Sequence, residues 1–219
     1  MKKIIYRIFI GSSLSLLILI IYLSTIGIKT DYFNSKIISQ IKKIEPNIEL
    51  KLREVSASLD LFNFGIKART IGTDLIYRDN VLKIETINSY ISLKSFFKDE
   101  FALTRLSIST KSLAINNLIS FIRLFNNNTK LFIAEQLIKN GYIVADLNLE
   151  FDELGNIKEN YELKGLLKDG QISFLKKYNL NKVDFIFLIN KNNFKFNDFK
   201  FFFNEKKVFI PDLVVSNII

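Results

Sequence analysis

Residues 141–151, GYIVADLNLEF, alternate between apolar and polar positions. Ile143, Ala145, Leu147, Leu149 and Phe151 fall on one side, while Tyr142, Asp146, Asn148 and Glu150 fall on the other. Successive side chains leave a β-strand on opposite faces, so this period predicts a strand with one dry side and one wet side. The pattern continues over 157–168, where Tyr161, Leu163 and Leu167 join the dry side, and a hairpin turn is expected at Asp169-Gly170. Further strands are expected near 182–190, 194–203 and 208–215, turning at NKNN and NEKK. Such short turns make consecutive strands antiparallel neighbours. In the aromatic strand, Phe194, Phe196 and Phe202 share one parity and Phe199, Phe201 and Phe203 the other; a bulge near Asp198 would change the register.

The first half carries the same signal from Ile48 onward, in IELKL, LFNFGIKA, VLKIETINSYISL, FALTRLSIST and SLAIN. A brief helix is expected over 116–125 and a loop at 126–130, after which LFIAEQLIKNG returns the chain to the sheet. Ahead of all this, residues 8–28 are uncharged and long enough to cross a hydrocarbon core of about 30 Å as a helix. Lys2, Lys3 and Arg7 precede that stretch, which by the positive-inside rule puts the carboxyl-terminal part across the membrane. LSTIGIKT makes a poor cleavage site, so a retained anchor is expected over a signal peptide. Phe33, Ile37, Ile41 and Ile44 then form the stripe of a short amphipathic helix ended by Pro46. The expected organisation is an anchor at 1–28, an amphipathic helix at 29–46, a first β segment at 47–125 and an antiparallel meander at 126–219.

Composition narrows the chemistry. The 219 residues include neither Cys nor His, which removes disulfides, thiolate nucleophiles and the side chain that ordinarily titrates near neutrality. No enzymatic activity, cofactor or metal is expected. Gly165 and Gly170 have the spacing of a phosphate-binding loop, yet Gln171 and Ile172 stand where Lys and Ser or Thr should follow. Glu150, Asp152 and Glu153 read as a hydrated turn rather than a cation site. The net charge of +9 fits anionic partners, but abundant Lys, Asn, Ile and Phe indicate compositional bias as one source of it. Lys176-Lys177, Lys206-Lys207 and Phe201–Phe203 have the ingredients of a nucleic-acid surface, a partner that an outward-facing anchored domain does not meet.

The order of parts in the first 115 residues, an anchor followed by DYFNSKIISQIKKIEPNIELKL, VSASLDLFNFGIKARTIGTDL and INSYISLKSFFKDEFALTRLSISTKSLAIN, resembles the amino-terminal region of the AsmA-like family of bacterial envelope proteins. Ile66, Ala68, Ile71, Phe96, Phe97, Phe101, Leu103, Leu106 and Ile108 occupy the places that carry the resemblance. It implies a bacterial inner-membrane protein, single-pass, with its carboxyl-terminal domain in the periplasm and an antiparallel sheet curled into an open β-groove. In such a groove the dry face, here Ile143, Ala145, Leu147, Leu149, Phe151, Tyr161, Leu163, Leu167, Ile66 and Ala68, would hold phospholipid acyl chains during lipid transport or outer-membrane assembly. The alternatives are a closed β-sandwich and, in function, a membrane-tethered interaction or assembly factor for envelope proteins. Either way, strand 208–216 reads as an edge open to self-association or to an envelope partner.

Overall fold

The computed structural model describes residues 2–31, 34–35, 38, 42, 46–53, 55–77, 80–98, 102–125, 129–174 and 178–216. Most of the expected amphipathic segment, including Phe33, Ile37, Ile41 and Ile44, lies outside the described residues, as does Phe101. Helix α1 (Lys2–Thr25) is apolar, exposed along its length, and long enough to cross a membrane. It ends earlier than the 28-residue reading. Gly27, at φ 73°, stops it and donates its N–H back to the Tyr22 carbonyl at 3.1 Å. Ile28–Thr30 then form strand β1.

The remaining strands are β2 (Ile48–Lys51), β3 (Val55–Asp60), β4 (Gly65–Ile71), β5 (Asp74–Tyr77), β6 (Asn80–Ser92), β7 (Leu103–Thr110), β8 (Leu113–Ala114), β9 (Ile138–Glu150), β10 (Glu162–Phe174), β11 (Tyr178–Asn190), β12 (Asn193–Phe203) and β13 (Lys206–Ser216). Helices α2 (Leu93–Lys98), α3 (Ile115–Phe125) and α4 (Thr129–Leu137) interrupt them. One antiparallel sheet runs β1-β3-β4-β6-β7-β9-β10-β11-β12-β13, with β2 and β5 attached to β6 and β8 attached to β9. It is not closed, and among the described residues all the strands belong to this one sheet, with no second sheet to form a sandwich. β1 and β13 are its two edges.

Turn chemistry explains the meander. Asn190 Oδ1 accepts the N–H groups of Asn192 and Asn193, fixing the β11–β12 reversal. Asn204 and Glu205 both have positive φ, at 47° and 65°, the left-handed pair that a two-residue hairpin needs. Asp169-Gly170 departs from expectation. Only Asp169 takes positive φ (51°), so the chain bends within β10 and runs on to Phe174. LFIAEQL also departs, belonging to α4 instead of the returning strand. In the first half, Leu61–Phe64 form the β3–β4 turn, with Phe64 at φ 47°, so LFNFGIKA is half turn and half strand.

The bend at Asp169 has counterparts at Lys182 (φ 50°) and Asp198 (φ 52°) in the next two strands, and Pro211 and Asp212 occupy the matching place in β13. Each shifts which parity points inward. Phe194 and Phe196 therefore share a face with Phe199, Phe201 and Phe203, while Phe202 points away. The same shift puts Val208, Ile210, Leu213 and Val215 on the dry side of β13. Asp184 stabilises the bend in β10, accepting the Asp169 N–H at 2.9 Å and the Lys168 ammonium at 2.7 Å.

Candidate functional site

Cross-strand partners in an antiparallel sheet point to the same face, so the register traces the dry face directly. Leu59 lies opposite Ile66, Ile66 opposite Ile91, and Ala68 opposite Ala57 and Ser89. Ile87 meets Ile108, and Leu106 and Ile108 meet Leu149 and Leu147. Leu147, Ala145 and Ile143 lie opposite Leu163, Gly165 and Leu167, which lie opposite Ile189, Phe187 and Phe185. Ile189 and Phe187 lie opposite Phe194 and Phe196. The eight strand residues expected to line a groove, Ile66, Ala68, Ile143, Ala145, Leu147, Leu149, Leu163 and Leu167, therefore share one continuous face. Phe151 and Tyr161 sit just beyond the ends of β9 and β10, both half-buried.

Two parts of that face have different surroundings. Ile143, Ala145 and Leu167 are buried in a cluster with Val183, Phe187 and, from α3, Ile115 and Ile119. Phe121 of the same helix packs with Tyr77, Leu82 and Ile84. The helix carries apolar residues around a broad arc, so it can cover the sheet on two fronts. Ser120 donates to Glu135 at 2.7 Å and Arg123 pairs with the same carboxylate, joining α3 to α4. Ile143, Ala145 and Leu167 are thus core residues beneath a helix, a correction to their reading as open groove lining. Leu147, Leu149, Leu163, Ile66 and Ala68 remain half-buried toward the other end of the strands.

That other end is a rim made by the last residues of β3, β6, β9 and β11 and the first of β4, β7, β10 and β12. A cleft of about 1050 Å³ opens there, between the β3–β4 turn and the loop after β9. Ile66, Ile91 and Phe151 contribute apolar wall, and Lys67, Lys94, Arg105, Glu150 and Lys158 contribute charge. Arg105 pairs with Glu150 at 3.4 Å and stacks over Tyr90 at 5.4 Å. Glu150 also accepts from Asn160 at 2.8 Å, the foremost reason that its carboxyl lies below the usual range. Asp152 accepts from the Leu154 and Asn156 backbones at 2.9 and 2.8 Å and so holds its own turn.

Asp60, buried in the cleft wall, accepts from the Asn63 side chain at 2.9 Å and pairs with Lys67 at 2.9 Å. Those partners, Asn63 first and then Lys67, pull its pKa from 3.8 to about 2. A depressed carboxyl contributes stability that is complete above its unfolded value and lost as pH falls through the folded one. Acid sensitivity from this residue should therefore fall between about pH 4 and pH 2, and Asp60→Asn should remove that part of the denaturation profile. Direct titration of the carboxyl by NMR checks it; a midpoint near 3.8 would remove the cause assigned to it.

Ile87, Ser89 and Ile91 complete the dry face in β6, and their alternation was visible in INSYI. Helix α3 was legible only as a brief helix over 116–125, and its place over the sheet was not. The class that fold and site define is an open antiparallel β-sheet, half covered by helices, behind a helix able to span a membrane. Comparison with protein-family models, curated proteins and solved structures gives no match to the chain.

Proposed function

We propose that this is a non-enzymatic, membrane-anchored lipid-binding protein of the AsmA-like kind. Its dry face takes phospholipid acyl chains on the periplasmic side of a bacterial inner membrane, for phospholipid transport or outer-membrane biogenesis. The observation that carries this reading is the uneven cover of one apolar face. Helices bury it at Ile143, Ala145 and Leu167, whereas Leu147, Leu149, Leu163 and Ile66 stay half-exposed toward the other end of the strands. A sheet that leaves an apolar surface incompletely covered gains about 25 cal/mol for each Å² that an acyl chain removes from water. The charged rim gives a headgroup hydrated surroundings while the chain lies inside.

A photocrosslinker at Leu149 should capture phospholipid, whereas one at Asn148, on the opposite face, should not. Native mass spectrometry of the full chain in mild detergent should show bound lipid. Absence of lipid in both measurements would end this reading. The alternative, a tethered interaction or assembly factor, is favoured by β13, whose exposed residues form the last edge of the sheet. Under that reading another strand, from a second copy or an envelope partner, pairs along 208–216 while the dry face carries no lipid.

A further inference from the structure

Leu61, Phe62 and Phe64, in the turn between β3 and β4, are 55%, 100% and 50% exposed. Exposed loop tips are ordinarily polar, and three large apolar side chains within four residues contradict that rule. The turn is held firmly: Asn63 donates its backbone N–H to Asp60 Oδ1 at 3.2 Å and its side chain to Oδ2, and Lys67 pairs with the same carboxylate. A fixed turn that presents phenylalanine to water needs an apolar environment to receive it. The loop after β9 stands across the cleft and carries a second such tip, Leu154, 85% exposed.

The register says where these tips lie relative to the anchor. β1 runs antiparallel to β3 with Ile28 opposite Ala57 and Thr30 opposite Val55. The chain entering β1 therefore comes from the end of β3 that runs out at Asp60, and α1, which stops at Thr25, packs against β3. The apolar turn and the end of the anchor consequently share one end of the same strand.

We propose that Leu61, Phe62 and Phe64 dip into the surface of the bilayer that α1 spans, with Leu154 as the second tip, so that the cleft between them opens onto the membrane. This rests on the reading of α1 as a membrane anchor, and it adds a membrane contact at the same strand ends where Ile66 and Leu149 stay half-buried. Aromatic side chains favour the headgroup level, where an apolar ring meets hydrated surroundings. The occupant is a lipid surface rather than a protein because the tips flank the end of a helix long and apolar enough to enter one. Cations and carboxylates both line the cleft, so insertion follows from apolar burial and should change little with salt.

The chain contains no Trp, so single substitutions provide unique reporters. The full chain is reconstituted in phosphatidylcholine vesicles with brominated acyl chains as quenchers, carrying Phe62→Trp, Leu16→Trp within α1, or Tyr142→Trp on the wet face of β9. Trp at position 62 should emit at shorter wavelength than Trp at 142 and be quenched several-fold more strongly by the lipid, with the same quenching at high salt. If Leu16→Trp is quenched while position 62 matches position 142, the turn stands in water and the proposal fails alone. If Leu16→Trp is not quenched either, the anchor reading fails and takes the proposal with it. Insertion of an apolar indole by itself is tested with Asn204→Trp, at the opposite ends of the strands: equal quenching there would overturn the assignment to this turn.

Discussion

Leu167→Asp is expected to unfold the second half of the sheet, while Leu149→Asp leaves it folded. The two leucines lie on one face of neighbouring strands, and sequence pattern alone treats them alike. Leu167 is 2% exposed and sits among Ile143, Val183 and Phe187 under α3. A carboxylate there loses water without gaining a partner, and truncating the leucine also leaves a cavity, together about 4 kcal/mol or more. Leu149 lies toward the rim and is only half-buried, so its carboxylate keeps hydration and the cost falls to about 1 kcal/mol. Urea denaturation followed by circular dichroism measures both. Equal losses would mean that the face is one uniform core, which would remove the basis for a lipid site. Under the proposed function, Leu149→Asp also lowers bound lipid while preserving the fold.

Gly165→Ala should be the most damaging single methyl in the chain, lowering stability by about 3 kcal/mol. An ideal Cβ at Gly165 would stand 2.2 Å from the Val144 carbonyl oxygen and 2.6 Å from the Phe187 ring. The ring can turn aside, but the carbonyl belongs to the adjacent strand and moves only with the ladder. Phe187→Leu in the same chain should therefore restore less than half of the loss. Gly170→Ala, whose nearest contacts are at 3.0 Å and include the Leu167 side chain, should cost about 1 kcal/mol. Gly11→Ala in α1, with nothing within 4 Å, should cost nothing, because the methyl meets no atom and alanine suits a helix better than glycine. A Gly165→Ala protein as stable as the parent would show that β9 and β10 can separate locally at this point.

What was legible in the sequence was parity. Alternation in GYIVADLNLEF assigned the dry side of β9, and the break in parity along NFKFNDFKFFF located the irregularity at Asp198. The cover was not legible, because alternation reports which side chains avoid water and not what excludes it. Ile143 and Leu149 have the same periodic signature, and only the packing of Ile115 and Ile119 distinguishes them. Asp169-Gly170 misled for a local reason: that dipeptide favours a hairpin when both residues take positive φ, whereas here Asp169 alone does, with Asp184 satisfying its N–H from the next strand. In VFIPDLVV, Val208, Ile210, Leu213 and Val215 fall on one face once the matching shift at Pro211-Asp212 is included, and Phe209 and Val214 stay exposed on the other, opposite Lys200 and Lys195. The short helix α4 was missed because TKLFIAEQL has no strong amphipathic period to separate it from a strand.

Only Ile26 and Gly27 separate the end of α1 from the first residue of β1. Two residues reach about 7 Å at full extension, and Gly27 has no slack, since even a Cβ would stand 2.5 Å from the Ala57 carbonyl. Under the proposed function, a domain on such a leash does not search for its membrane. For a groove that loads from the bilayer holding its own anchor, uptake becomes a unimolecular step whose rate is set by effective concentration rather than by affinity for a surface. Its rate would be first order in protein, with a rate constant unchanged by added membrane, a signature that separates a fixed port from a carrier that must dock anew at each cycle.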